Sequence, residues 1–142
     1  MHNVLEFFAA GKPRPQGSKR LVRLRNGRTA MIDAGKGLKE WRHAIAKQAS
    51  RQKTTWDGDV RVNMLFVFAR PKAHFDSKGV LRATSPIRPR KLDLDKLARA
   101  VCDALSGVAY LDDRQVAMLC AERRYVDWDE PKEGVRVVVQ PM

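Results

Sequence analysis

Apolar and polar residues alternate through NVLEFFA, residues 3–9, with Val4, Glu6 and Phe8 on one side and Leu5 and Phe7 on the other. This period of two predicts a first strand. Pro13, Pro15 and Gly17 then punctuate the chain before two short extended runs, LVRLR and RTAMI, joined by Asn26-Gly27. Asn-Gly between such runs is the strongest short-range hairpin signal. In GKGLKEWRHAIAKQASRQ the period lengthens to three and four, and Leu38, Trp41, Ile45 and Ala49 form the inward stripe of a surface helix. His43 lies beside this stripe and reads as a histidine without chemistry. GDVRVNMLFVFARP follows, alternating Val60, Val62, Met64 and Phe66 with Arg61, Asn63 and Leu65 before turning apolar on both sides. It reads as a central strand ended by Pro71.

Residues 72–91 have no period, and their prolines, glycine and six basic residues (Lys72, Lys78, Arg82, Arg88, Arg90, Lys91) predict a long mobile loop that orders on an anionic ligand. The next helix has the clearest pattern in the chain. At 100° per residue, Leu94, Leu97, Ala98, Val101, Ala104 and Leu105 occupy one arc, and Asp95, Lys96, Arg99 and Asp103 the opposite one. Gly107 is placed to stop it. VAYLDD leads into the strand RQVAMLCAERRYV, and DWDEPKEG turns into a final strand, VRVVVQ. The expected class is α/β (α+β): one domain with two main helices and a mixed sheet of about four to six strands, the last of them paired antiparallel.

Charge narrows the function. Across 142 residues, 28 Lys and Arg stand against 16 Asp and Glu, a net charge of +12 that points to a polyanionic partner, nucleic acid first. No apolar run is long enough to span a bilayer, and Glu6 interrupts the only apolar stretch near the amino terminus, so the expectation is a cytoplasmic protein with no membrane partner. Cys102 and Cys120 have neither metal-ligand spacing nor the density of a disulfide framework, which fits a reducing compartment and places both in the core as small apolar residues. From residue 12 to 28 the charged residues are Lys12, Arg14, Lys19, Arg20, Arg23, Arg25 and Arg28, with no acid among them. Arg23 and Arg25 share one face of their strand, a basic ribbon suited to phosphate contact.

Against this background the stretch KLDLDKLARAVCDALSGVAYLDDRQV gathers Asp93, Asp95, Asp103, Asp112 and Asp113. Each has an ordinary explanation: an N-cap worth about 1 kcal/mol for the first pair, a turn for the second, an ion pair with Arg99 for Asp103. A cap, however, needs one aspartate. If the two pairs fold back to one place, their repulsion calls for a cation, and carboxylate oxygens suit Mg²⁺ or Mn²⁺. Such an ion would polarise a phosphodiester brought in by the basic residues, with Arg99 or Lys96 balancing charge beside it.

The same stretch resembles the signature of the RusA-type Holliday junction resolvases, small bacterial and prophage endonucleases. In that family an Asp-x-Asp-Asn-Leu-x-Lys helix is followed by Asp-Ala-Leu and then by Asp-Asp ahead of a Gln-Val strand. Looser likeness in GKPRPQGSKR, FARPKAHF and the basic loop extends it over most of the chain. The resemblance implies a single RusA-like domain over residues 1–142, with a basic hairpin at 12–32, a basic loop at 72–92 and an acidic metal-site helix and turn at 93–116. It further implies that Asp93, Asp95 and Asp113 are catalytic Mg²⁺ ligands, that Asp112 supports them, and that Arg99 takes the place of a catalytic lysine. The family is dimeric and cuts symmetry-related strands of a four-way DNA junction. Three positions depart from its pattern: Lys96 for asparagine, Arg99 for lysine and Leu92 for a frequent proline. Since arginine cannot give up a proton, the role left for Arg99 is electrostatic.

The expectation is therefore a Mg²⁺-dependent endonuclease of bacterial or phage origin, working as a homodimer on branched double-stranded DNA. Lys12, Arg14, Lys19, Arg20, Arg23, Arg25, Arg28, Lys72, Arg88, Arg90, Lys91 and Lys96 would hold the DNA through its backbone. The rival readings are a basic DNA- or RNA-binding module without catalysis, and a related nuclease cutting flaps or forks.

Overall fold

The computed structural model describes residues 4–17, 19–33 and 37–142. Its strands are β1 (Leu5–Ala10), β2 (Lys19–Arg23), β3 (Thr29–Asp33), β4 (Val60–Phe68), β5 (Val116–Tyr125) and β6 (Gly134–Pro141). The helices are α1 (Leu38–Ser50) and α2 (Leu94–Leu105), with short 3₁₀ turns at Lys72–His74 and Asp113–Gln115. This is an α+β fold with a mixed sheet, as the pattern of the chain predicts.

The main sheet has the order β1-β6-β4-β5. β6 runs antiparallel to both β1 and β4, while β5 runs parallel to β4. The last strand is paired antiparallel, as expected, though not with the strand before it: β6, with Val135, Val137 and Val139 fully buried, takes a central place, and β5 returns beside β4 through the α2 crossover that parallel strands require. The basic hairpin, β2 with β3, forms a sheet of its own. Gly134 allows β6 to close on β1: a Cβ there would overlap the Ala9 carbonyl oxygen and the Phe8 ring.

Both helices pack on one face of the sheet. Leu38, Trp41, Ile45 and Ala49 of α1, with Leu97, Ala98, Val101, Ala104 and Leu105 of α2, meet Leu5, Phe7, Val60, Val62, Met64, Phe66 and the β6 valines. α1 lies toward β1 and α2 toward β5. The other face carries Arg61, Asn63, Met118, Cys120 and Glu122, with no helix over it among the described residues. That is why Cys120 is exposed rather than in the core, and Cys102, on the flank of α2, is only half-buried. Among the described residues no helix is long and apolar enough to cross a membrane.

The connection from β4 to α2 is more built than its sequence suggests. Asp76 Oδ1 accepts from Lys78 N at 2.8 Å and Val80 N at 3.0 Å. The His74 carbonyl accepts from Arg82 N at 2.8 Å and Ser85 Oγ at 2.8 Å. Arg70 donates to the Pro86 carbonyl at 2.8 Å while its guanidinium lies 4.2 Å above the Tyr125 ring. Aspartate and serine side chains thus supply turns that no apolar period announces.

Candidate active site

Residues at the start of α2 present two exposed carboxylates. Asp93 occupies the N-cap position with extended backbone, yet its side chain accepts no cap hydrogen bond. Its nearest cation is Lys96 Nζ, 3.5 Å from Oδ2. Asp95 follows in the first turn, and both aspartates are exposed. The capping explanation therefore does not account for Asp93. Around the pair the surroundings are basic and fixed: Arg123 on β5 donates to the carbonyls of Lys91 (3.2 Å) and Leu92, and Gln16 N donates to the Lys96 carbonyl at 2.9 Å. Arg42 Nη1 holds the Gln16 side chain at 3.1 Å. The segment bearing Lys12 and Arg14 is thereby seated against the start of α2. Leu92, just before the pair, has φ 73; a proline, locked near −65°, would not fit this backbone.

A different set of interactions shapes the turn before β5. Asp112 Oδ1 accepts from Arg114 N at 2.8 Å, and Gln115 Oε1 accepts from the N–H groups of Leu111 (2.8 Å) and Asp112 (2.9 Å). The Gln115 amide donates in turn to the carbonyls of Trp56 at 2.9 Å and Gly58 at 2.8 Å. Asp112 is thus engaged in holding the turn, and the Arg114 N–H holds its carboxyl below the usual carboxylate range. Asp113 is exposed and takes no part in this capping box. Gln115→Ala is expected to lower stability by about 1–3 kcal/mol, through loss of several hydrogen bonds that tie this turn to residues 56–58; chemical denaturation measures it.

Asp113 lies near the carboxyl-terminal half of α2. There burial, then the Asp113 carboxylate, push the Asp103 carboxyl up, against the pull of Arg42 and Arg99. Below the carboxylate range Asp103 is protonated folded or unfolded; as pH rises the folded state resists its ionisation, so stability falls. Asp103→Asn should therefore raise the melting temperature at neutral pH and lose that advantage toward pH 3, as thermal melts across pH would record. Burial likewise pushes the Cys102 thiol up, which makes it an unreactive cysteine. No ion pair joins Asp103 to Arg99 among the described residues.

The two acidic groups do not meet within one chain. α2 has 12 residues, a length of about 18 Å, and lies antiparallel to β5, with Asp93 and Asp95 near Arg123 and Asp113 near Cys102. Among the described residues no group of three or more His, Cys, Asp or Glu side chains is arranged to hold a metal. By donor chemistry Asp93, Asp95 and Asp113 do fit a hard divalent cation, since all three offer carboxylate oxygens not spent on capping. Arg99 is exposed on α2, one turn beyond Asp95.

Lys12, Arg23, Arg25, Arg28, Lys72, Arg88, Arg90 and Lys91 are exposed, with Arg14 and Lys96 half-buried. The side chains of Lys19 and Arg20 lie outside the described residues. His43 is exposed, on an open groove between the helices lined by Arg42 and Asp103.

Residues 10–140 match the family model described as Endodeoxyribonuclease RusA. The chain belongs to the RusA endodeoxyribonuclease family. A relative in Bacillus subtilis (strain 168), described as "Uncharacterized protein YqaN", is 32% identical over 145 residues, covering 95% of this chain and 96% of that protein. The RusA match spans both acidic groups, the basic loop and the whole of the basic amino-terminal segment. The positioning roles of three residues escape sequence reasoning. Arg123 leaves a signal, a charge at an inward position of β5 between Ala121 and Tyr125. Gln115 and Gln16 stand within the stretches that carry the RusA resemblance, but what they hold lies in contacts distant in sequence.

Proposed function

We propose that the protein is a Mg²⁺-dependent endonuclease that resolves four-way DNA junctions as a homodimer, in recombination and repair. The observation that carries this reading is the pair Asp93 and Asp95, uncapped and exposed at the start of a helix whose surroundings are otherwise basic. Because the two groups do not meet within one chain, Asp93 and Asp95 of one subunit and Asp113 of the other would hold the cation in the homodimer, with Asp112 fixing the turn from which Asp113 projects. Bound there, Mg²⁺ supplies Lewis-acid polarisation of the phosphoryl oxygen and a water acidified toward neutral pH. The rest is the work of the chain. Lys91, Lys96 and the Lys12–Arg14 segment bring phosphate to the aspartates and offset their charge. Arg99 donates to non-bridging oxygens as negative charge builds there, without exchanging a proton.

Contacts to phosphates read shape rather than base sequence, which suits a branched substrate. A panel of four-way junction, fork, flap and linear duplex of identical sequence tests this. The junction is expected to be cut at least tenfold faster than the others. Preferred cutting of the flap or fork would favour a related branch nuclease, and binding without cutting would leave a binding module.

A further inference from the structure

Trp128, in the turn between β5 and β6, is 90% exposed, and Ile87, in the basic loop, is 84% exposed. No other large apolar side chain among the described residues is as open to solvent. Neither sits on a loose segment. Asp127 Oδ1 accepts from Asp129 N at 2.9 Å and Glu130 N at 2.8 Å, and Asp127 N donates to the Glu130 carbonyl at 3.1 Å. Arg136 Nε holds Glu130 at 2.6 Å, and Glu133 Oε2 accepts from Ala69 N at 2.8 Å. The Arg70 side chain that donates to the Pro86 carbonyl, just before Ile87, lies on the ring of Tyr125, three residues before Trp128. Three residues reach at most about 10 Å. Both apolar side chains therefore stand at the margin where β5 ends, where Arg123 also ties down Lys91 and Leu92 ahead of Asp93.

We propose that Trp128 stacks on an unstacked base at the branch point of the DNA, with Ile87 as a second apolar contact, and so favours branched over linear substrate. This deepens the nuclease reading and rests on it for the substrate. The acids around Trp128 argue against a phosphate as the group it meets. Asp127 and Glu130 are engaged inside the turn, with Arg124 Nε 3.9 Å from Asp127 and Arg136 on Glu130, so they stiffen the mount of the indole. What the turn offers outward is a flat aromatic face, and every base has a flat face to match it, whatever the sequence. In a linear duplex both faces of each base are covered by its neighbours, whereas a branch point interrupts the stack. Because the turn is already ordered, little freedom is lost when the ring is engaged. A protein pocket would also accept an indole, but Arg88, Arg90 and Lys91 are exposed on the loop that carries Ile87. Cations beside an apolar contact suit a polyanion whose bases can be reached.

Binding and fluorescence in EDTA, where no cleavage is needed, test the inference with a synthetic four-way junction and a linear duplex of the same sequence. Trp128→Ala should bind the junction about tenfold more weakly and the duplex within about twofold of the wild type. The salt dependence of junction binding should keep its slope, because no phosphate contact is lost. Trp128→Phe, which keeps a ring, should recover most of the affinity, and Ile87→Ser should repeat the pattern with a smaller loss. Both side chains are exposed, so the fold should be unchanged in each variant. Of the three tryptophans, Trp41 is buried and Trp56 half-buried; the junction should therefore quench wild-type emission, and Trp128→Phe should remove most of that quenching. Equal losses on junction and duplex, no loss on either, a flatter salt slope for Trp128→Ala, or quenching that survives in Trp128→Phe overturns the proposal. No loss on either DNA would leave the indole to a protein partner. Wild-type affinity in Ile87→Ser overturns the part given to Ile87 alone. A wild type that cuts no junction in Mg²⁺ defeats the nuclease reading, and the binding measurements still decide the base contact.

Discussion

Asp95→Asn is expected to abolish strand cleavage, slowing it about a thousandfold or more, while junction binding stays intact or tightens. Asparagine keeps the size and much of the hydrogen-bonding shape of aspartate but removes the charge that a divalent cation needs. Because Asp95 is exposed and outside the buried arc of α2, stability should change by less than about 0.5 kcal/mol. Loss of a negative charge from a protein of net charge +12 makes its surface more attractive to phosphate, hence the expected rise in affinity. Single-turnover cleavage and a gel-shift titration on one DNA separate the two effects. Weakened binding with cleavage lost in proportion would instead make Asp95 a structural residue.

The second large effect concerns stability. Tyr110 is fully buried, and its hydroxyl donates to the Cys102 carbonyl at 2.8 Å. It joins the end of α2 to the turn that carries Asp112 and Asp113. Tyr110→Ala should cost about 3–5 kcal/mol, a large aromatic void in a packed core. Tyr110→Phe should cost only about 1 kcal/mol, since the Cys102 carbonyl retains Ser106 N at 3.1 Å as a donor. Denaturant midpoints for the two variants give the ratio. Cleavage by the phenylalanine variant should stay near that of the wild type, because the buried ring is kept and the Asp112 and Gln115 hydrogen bonds that hold the turn are untouched.

Much of this architecture was legible in the spacing of apolar residues. The arc of α2, the stripe of α1 and the alternation of β4 follow from burial on one face, a property local to each element. Strand order was not legible: nothing in VRVVVQ says that it will insert between β1 and β4, because pairing depends on where other strands leave room. Cys120 illustrates the same limit, its apolar neighbours placing it in a core that the uncovered face of the sheet does not provide. At the site, sequence alone could name the aspartates but not tell Asp93, which caps nothing, from Asp112, engaged in its turn. Nor could it place Asp103 beside Asp113, a proximity made by the return of the chain after Gly107.

The most direct test of the metal-assisted nuclease account is incubation of the purified protein with a synthetic four-way junction, each strand labelled in turn, in Mg²⁺ and in EDTA. Paired nicks at symmetrical positions, present with Mg²⁺ and absent with EDTA, are the predicted result. An intact junction under both conditions, or cutting that EDTA does not diminish, would contradict it.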